Sequence, residues 1–152
     1  MDYSIKDFRN NLILLLLTMV IFSCKSQNNT VNNALIYEIV FWDYFSNDNL
    51  DLIINDTTII KNVLLSSEGS SGLTKVWVKI FYENGIYFYI TSIDNSKRPI
   101  TMNSQKQIFE VILNKKIKIF KIPVKKGRYL YFYNDKDEGV LLMQTKKQPI
   151  LD

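Results

Sequence analysis

Leu73-Thr74-Lys75-Val76-Trp77-Val78-Lys79-Ile80-Phe81-Tyr82-Glu83, then Asn84-Gly85, then Ile86-Tyr87-Phe88-Tyr89-Ile90-Thr91-Ser92-Ile93, is the stretch that decides the fold. β-Branched and aromatic residues fill both arms, and such side chains suit a pleated, partly buried surface. Asn-Gly between them suits a two-residue type I′ turn, whose twist matches that of the flanking strands. With Asn84 and Gly85 as the loop, the register follows: Val76, Val78, Ile80 and Tyr82 share a face with Tyr87, Tyr89, Thr91 and Ile93. That row is expected to face the core. The other row, Lys75, Trp77, Lys79 and Phe81 with Phe88 and Ile90, mixes charge with large rings, as a surface partly covered by a second sheet or open to a ligand would.

The same texture extends to both sides. Further strands are expected at Ile36 to Phe45, Leu50 to Ile54, Ile59 to Leu65, Gln107 to Leu113, Ile117 to Val124, Arg128 to Tyr133 and Val140 to Gln144. Turn-forming clusters separate them, including Ser46-Asn47-Asp48-Asn49, Asn55-Asp56, Glu68 to Gly72, Asp94-Asn95-Ser96, Lys125-Lys126-Gly127 and Asp135 to Gly139. Asn32 or Asn33 has the chemistry of a helix N-cap, so a short helix from Ala34 is the alternative for the first strand. The chain of 152 residues, with 9 Tyr and 9 Phe against 5 Gly and 3 Pro, has room for one domain and a conventional core. The reading is an all-β domain, an antiparallel β-sandwich of about seven to nine short strands, with a small β-barrel as the alternative.

Upstream, Leu12-Ile13-Leu14-Leu15-Leu16-Leu17-Thr18-Met19-Val20-Ile21-Phe22 carries no charge. A membrane-spanning helix needs about 20 apolar residues, so this run is too short to span and has the length of the apolar region of a secretion signal. Lys6 and Arg9 precede it, balanced by Asp2 and Asp7. The competing reading makes Leu12 to Phe22 a core helix or an uncleaved anchor, but only Thr18 interrupts it and a core helix should keep a wet face.

Ile21-Phe22-Ser23-Cys24 resembles the lipobox of bacterial lipoproteins, an aliphatic residue, two small residues and a cysteine, with Phe22 bulkier than that pattern. The resemblance implies that a signal helix over residues 1–23 is removed and that the Cys24 thiol carries a diacylglyceryl group, with the new N-terminus a site of further acylation. Two or three chains hold a protein durably at about 0.8 kcal/mol per buried CH₂, whereas one chain binds marginally. Lys25 stands where an aspartate is associated with inner-membrane retention in that family, which implies delivery to the outer membrane. Lys25 to Asn33 is polar and reads as a tether. The expected organisation is a signal over 1–23, a tether over 24–34 and one globular domain over 35–152.

The composition excludes many chemistries. There is no histidine and one cysteine, which removes Ser-His-Asp and Cys-His nucleophiles, histidine-based zinc sites and intrachain disulfides. Neither a G-x-x-x-x-G-K-[ST] loop nor a G-x-G-x-x-G turn occurs. Two carboxylates can hydrolyse a glycosidic bond without histidine, and Glu38, Asp43, Asp48, Asp51 and Asp56 lie in a segment free of Lys and Arg. The ordinary reading makes Asp48 and Asp56 turn residues and puts Glu38 and Asp51 on wet strand faces, so no catalytic residue is assigned. Asp135-Lys136-Asp137-Glu138-Gly139 departs from a calcium-binding EF-hand loop, since Lys146 falls where the twelfth-position glutamate should be. No metal or cofactor is expected.

The formal net charge is +4, and its distribution is uneven. From Lys97 to Arg128 ten basic residues stand against Glu110 alone. Lys115, Lys116, Lys118, Lys121, Lys125, Lys126 and Arg128 are the candidate surface for an anionic ligand, such as a phospholipid headgroup, an acidic glycan or an acidic protein. Nucleic acid does not fit an envelope compartment. The ordinary reading places these lysines on strand edges, where they discourage pairing with other chains. Convergence on one face favours binding, and scatter favours solubility. The functional expectation is a lipid-anchored, noncatalytic envelope domain that binds or scaffolds. A periplasmic immunity or inhibitor protein is the first alternative and a carboxylate glycan hydrolase the second.

Overall fold

The computed structural model describes residues 34–148; the expected signal segment, Cys24 and the expected tether through Asn33 lie outside them. Asn84 and Gly85 take φ of 50° and 87°, the left-handed pair that a type I′ turn requires. The strands they join pair Val78 with Thr91, Ile80 with Tyr89 and Tyr82 with Tyr87, the expected register. Val76, Val78, Ile80, Tyr89 and Thr91 are buried, while the ends of the row, Tyr82 and Ile93, emerge into solvent. Tyr82 there leans on Tyr87, ring centroids 4.8 Å apart.

Ten strands form in all: β1 Ala34–Phe41, β2 Ser46–Ile54, β3 Thr57–Ser66, β4 Trp77–Glu83, β5 Ile86–Thr91, β6 Arg98–Ile100, β7 Lys106–Leu113, β8 Lys116–Pro123, β9 Tyr129–Asp135 and β10 Gly139–Thr145. One sheet has the order β10-β9-β1-β4-β5-β6 and the other β3-β2-β7-β8. Neither closes into a barrel, so the sandwich is the architecture. The N-terminal segment is a strand and not the alternative helix, because Tyr37, Ile39 and Phe41 alternate into the core with a period of two.

Two features depart from the expected pattern. Strand β6 was not anticipated, since three residues containing Pro99 carry almost no strand signature; proline is tolerated because β6 is an edge and pairs only with β5. The sheets are also not wholly antiparallel. β1 and β9 run parallel, Glu38 beside Tyr129 and Phe41 beside Phe132, a pairing across most of the chain that no local pattern announces.

Asn55-Asp56 and Asn114-Lys115 make two more tight hairpins, with φ of 46° and 65° and of 49° and 68°. Asparagine tolerates the left-handed region because its short amide bonds locally. Midway along β3, Asn62 at φ 53° forms one bulge, and a second irregularity at Ile59, between the Leu52–Ile60 and Ile53–Thr58 pairs, lets the consecutive Ile59 and Ile60 both turn inward. The core lies between the sheets. Phe41 stacks on Phe132 at 5.5 Å, Phe120 meets Phe132 edge-on at 5.2 Å, and Tyr37 meets Phe109 edge-on at 6.1 Å. Each such buried side chain contributes roughly 1.5–3 kcal/mol over its exposed state.

Strand direction defines two ends. The start of β1, the β2–β3 and β4–β5 turns, the β6–β7 loop, the 3-10 turn Val124–Lys126 and the chain after β10 share one end. The β1–β2, β3–β4, β5–β6, β7–β8 and β9–β10 connections share the other.

Candidate functional site

The carboxylates from Glu38 to Asp51 are occupied by the fold. Asp43 accepts a hydrogen bond from the Tyr44 amide at 3.0 Å. Asp48 accepts from the Ser46 amide at 2.9 Å and from the Asn114 side-chain amide at 2.6 Å, pinning the first turn of β2 to the β7–β8 hairpin. Asp51 accepts from the Asn62 amide at 2.6 Å, which satisfies the N–H that the bulge would otherwise orphan. Glu38 pairs with Lys79 at 3.3 Å, and Lys79 in turn sits over the Trp77 ring at 5.4 Å. These are structural duties. The Asp135 to Gly139 segment is an Asx-type turn: Asp135 accepts from the amides of Asp137 and Glu138 at 2.8 and 2.9 Å. Those two N–H donors hold its carboxyl below the usual carboxylate range. Among the described residues no group of three or more acidic side chains is placed to hold a metal ion.

The basic candidates divide. Strand β8, eight residues long, extends roughly 26 Å at 3.3 Å per residue and separates them. Lys115 and Lys116 lie at the β7–β8 hairpin, and the nearby Lys118 ammonium donates to the Glu138 carbonyl at 3.0 Å. That end also carries Asp43, Asp48, Glu68, Asp94, Asp135, Asp137 and Glu138, so its lysines sit in a mixed field. Lys121 stands on the edge strand β8 opposite Ile108, in the outward row with the exposed Ile117 and Ile119.

Lys125, Lys126 and Arg128 lie at the other end. Lys125 and Arg128 line a cavity of about 340 Å³ with Leu35, Ile36, Val124, Gly127 and Lys146. Among the described residues no acidic side chain lines it. Lys106, which pairs with Pro123, belongs to the same end, and Lys147 follows Lys146 beyond β10. Among the described residues the turns of this end carry the carboxylates Asp56 and Glu83, and Glu83 is engaged by Lys97. Among the described residues none of Lys106, Lys125, Lys126, Arg128, Lys146 and Lys147 is in an ion pair.

This end is held firmly by backbone. The Glu38 amide donates to the Arg128 carbonyl at 2.9 Å and the Val124 amide to the Gln105 carbonyl at 3.2 Å. The Gln144 side-chain amide donates to the Gly127 carbonyl at 2.8 Å and the Pro123 carbonyl at 3.2 Å. Gly127, at φ 151°, lies so close to β10 that a Cβ would come 2.2 Å from the Thr145 carbonyl oxygen. A rigid turn therefore presents the cations. Lys146 and Lys147 were missed in the sequence because they lie beyond the Lys97 to Arg128 run; pairing β10 to β9 across Asp135 to Gly139, which sets Thr145 opposite Tyr129, is the signal that would have found them.

Two other surfaces stand out. On the outer side of the six-stranded sheet, Glu38, Leu73, Trp77, Lys79 and Tyr131 border a shallow cavity of about 330 Å³. Tyr131 is buried there, edge-on to Trp42 at 6.1 Å. Burial, followed by the nearby Glu38 carboxylate and Tyr129, raises its phenol above the ordinary tyrosine value. On the outer side of the four-stranded sheet, Ile108, Ile117 and Ile119 are exposed. No protein-family model, no curated protein and no solved structure matches the chain.

Proposed function

We propose that the chain is a lipid-anchored protein of the bacterial envelope, bound for the outer membrane, whose β-sandwich binds or scaffolds and does not catalyse. The observation that carries the reading is the uncharged Leu12 to Phe22 run closed by Ser23-Cys24, which is too short to span a bilayer and ends in an acylatable thiol. Two features of the folded domain support it. Asp43, Asp48 and Asp51 each hold a turn or a bulge, structural duties that account for three of the five carboxylates a hydrolase would draw on. The unpaired cations gather at the end where the chain enters β1, which suits an anionic partner.

The test is the intact mass of the protein recovered from bacterial membranes beside that of a Cys24→Ala variant. A wild-type chain that starts at residue 24 with added acyl mass, and a variant without either, is the expected result. A wild-type chain that keeps Met1 and carries no lipid overturns the anchoring. A second reading, an inhibitor of another envelope protein, is favoured by the aromatic cavity of Trp77 and Tyr131; it requires a stoichiometric partner in pull-down at low salt that is lost with Trp77→Ala.

A further inference from the structure

We propose that the end of the sandwich bearing the 3-10 turn Val124–Lys126 is a docking face for the anionic headgroups of the bilayer in which the N-terminus is anchored. The inference rests on the anchored reading above and adds which part of the domain meets the membrane. Three observations converge on it. The chain enters the domain there, since Leu35 and Ile36 of β1 line the same cavity as Lys125, Arg128 and Lys146. Nine residues lie between Cys24 and Ala34, and a chain of ten Cα steps reaches at most about 35 Å, so this end is kept near the bilayer.

The cations there are unpaired and outnumber the carboxylates Asp56 and Glu83. Lys106, Lys125, Lys126, Arg128, Lys146 and Lys147 make no ion pair among the described residues, whereas the far end mixes lysines with the acidic Asp135-Lys136-Asp137-Glu138 turn. The face is also preformed. Gly127 lies against β10 with no space for a side chain, and the amide of Gln144 grips the carbonyl of Gly127, so little order must be gained on docking. Val124, exposed beside the two lysines, adds an apolar contact at headgroup depth. An acyl anchor plus a basic patch is a combination that gives stable attachment where one signal alone is marginal.

The test is amide hydrogen exchange on the full chain incorporated in vesicles of phosphatidylcholine, with and without phosphatidylglycerol. Each cation brought to an anionic surface strengthens association about fivefold. Residues 124–128 are expected to exchange severalfold more slowly when phosphatidylglycerol is present, and residues 136–138 at an unchanged rate. The protection should vanish in about 1 M salt, where the screening length falls to about 3 Å, and in a Lys125→Gln/Lys126→Gln/Arg128→Gln variant. A Lys115→Gln/Lys116→Gln/Lys136→Gln variant carries the same change of net charge at the other end and should keep it. Protection that is independent of lipid charge, equal at both ends, or abolished equally by both variants overturns the inference. The vesicles hold the chain through its N-terminus whether that end is acylated or uncleaved, so the mass measurement and the exchange measurement fail separately.

Discussion

Tyr37→Phe is the substitution with the clearest expected sign. Tyr37 is 1% exposed on β1, and its hydroxyl is buried with no hydrogen-bond partner among the described residues. An unpaired buried polar group costs about 1–3 kcal/mol. Phenylalanine keeps the ring and its edge-on contact with Phe109 and removes only the oxygen, so the variant should be more stable at neutral pH by about 1 kcal/mol, the low end of that range. Alkaline pH gives a second, independent check. Burial, with Tyr87 adding to it, pushes the Tyr37 phenol up from 10.0 to about 12. The folded state thus retains a proton that the unfolded chain gives up. The stability this contributes is complete below pH 10, the unfolded value, and is lost as pH rises through the folded value near 12. At about 1.4 kcal/mol per pH unit the loss is about 3 kcal/mol, and the phenylalanine variant does not suffer it. Urea unfolding of both proteins at neutral pH and between pH 10 and 12 measures the difference, in which the titrations common to both cancel. A variant less stable than wild type at neutral pH, or a gap that stays constant up to pH 12, refutes the assignment of an orphaned hydroxyl.

Two further outcomes are expected. Gly127→Ala forces a Cβ to within 2.2 Å of the Thr145 carbonyl oxygen and should cost about 3 kcal/mol or more, whereas Gly85→Ala, at φ 87° but in open space, should cost about 1 kcal/mol; equal shifts in urea midpoint refute the distinction. The Asp135 carboxyl should titrate below its ordinary value of 3.8 by NMR because the amides of Glu138 and Asp137 bind its charged form. What it contributes to stability is then present above that ordinary value and lost as pH falls through the lowered one. Because the backbone amides outrank Lys118 as the cause, Lys118→Gln should leave most of the shift in place, and a return to the ordinary value refutes that order.

The all-β class and the central hairpin were legible because they rest on local rules. Asn84-Gly85 fixes its own turn, and the alternation of Val76, Val78 and Ile80 against Lys75, Trp77 and Lys79 fixes the buried face. What local rules cannot supply is the pairing of segments far apart in sequence. The contact of β1 with β9 is of that kind, and so is the fate of Asp51, which looks like a solvated strand carboxylate until the bulge at Asn62 turns an amide toward it. The break between Leu113 and Ile117 was legible, but the two-residue turn Asn114-Lys115 within it was not. Lysine seldom takes positive φ, so a run of Asn-Lys-Lys reads as charge before it reads as a turn.

The division of the basic run follows from a parity rule that the sequence alone could have misled. Each strand of an antiparallel sandwich reverses the chain, so a loop lies at the end where the chain enters only if an even number of strands precedes it. Lys115 and Lys116 follow or open strands on the odd side, after β7, while Lys125, Lys126 and Arg128 follow β8. Neighbours in sequence thereby part by the length of a strand, and Lys106, Lys126 and Lys146, which follow β6, β8 and β10, come to one end. Counting the nine strands legible in the sequence, without β6, makes Val124 follow the seventh and places the 3-10 turn at the wrong end, away from the start of β1. The three residues of β6 contribute little to the core beyond Ile100, yet they set the direction of every strand after them. They are what brings the unpaired cations to the end of the domain where the chain enters β1.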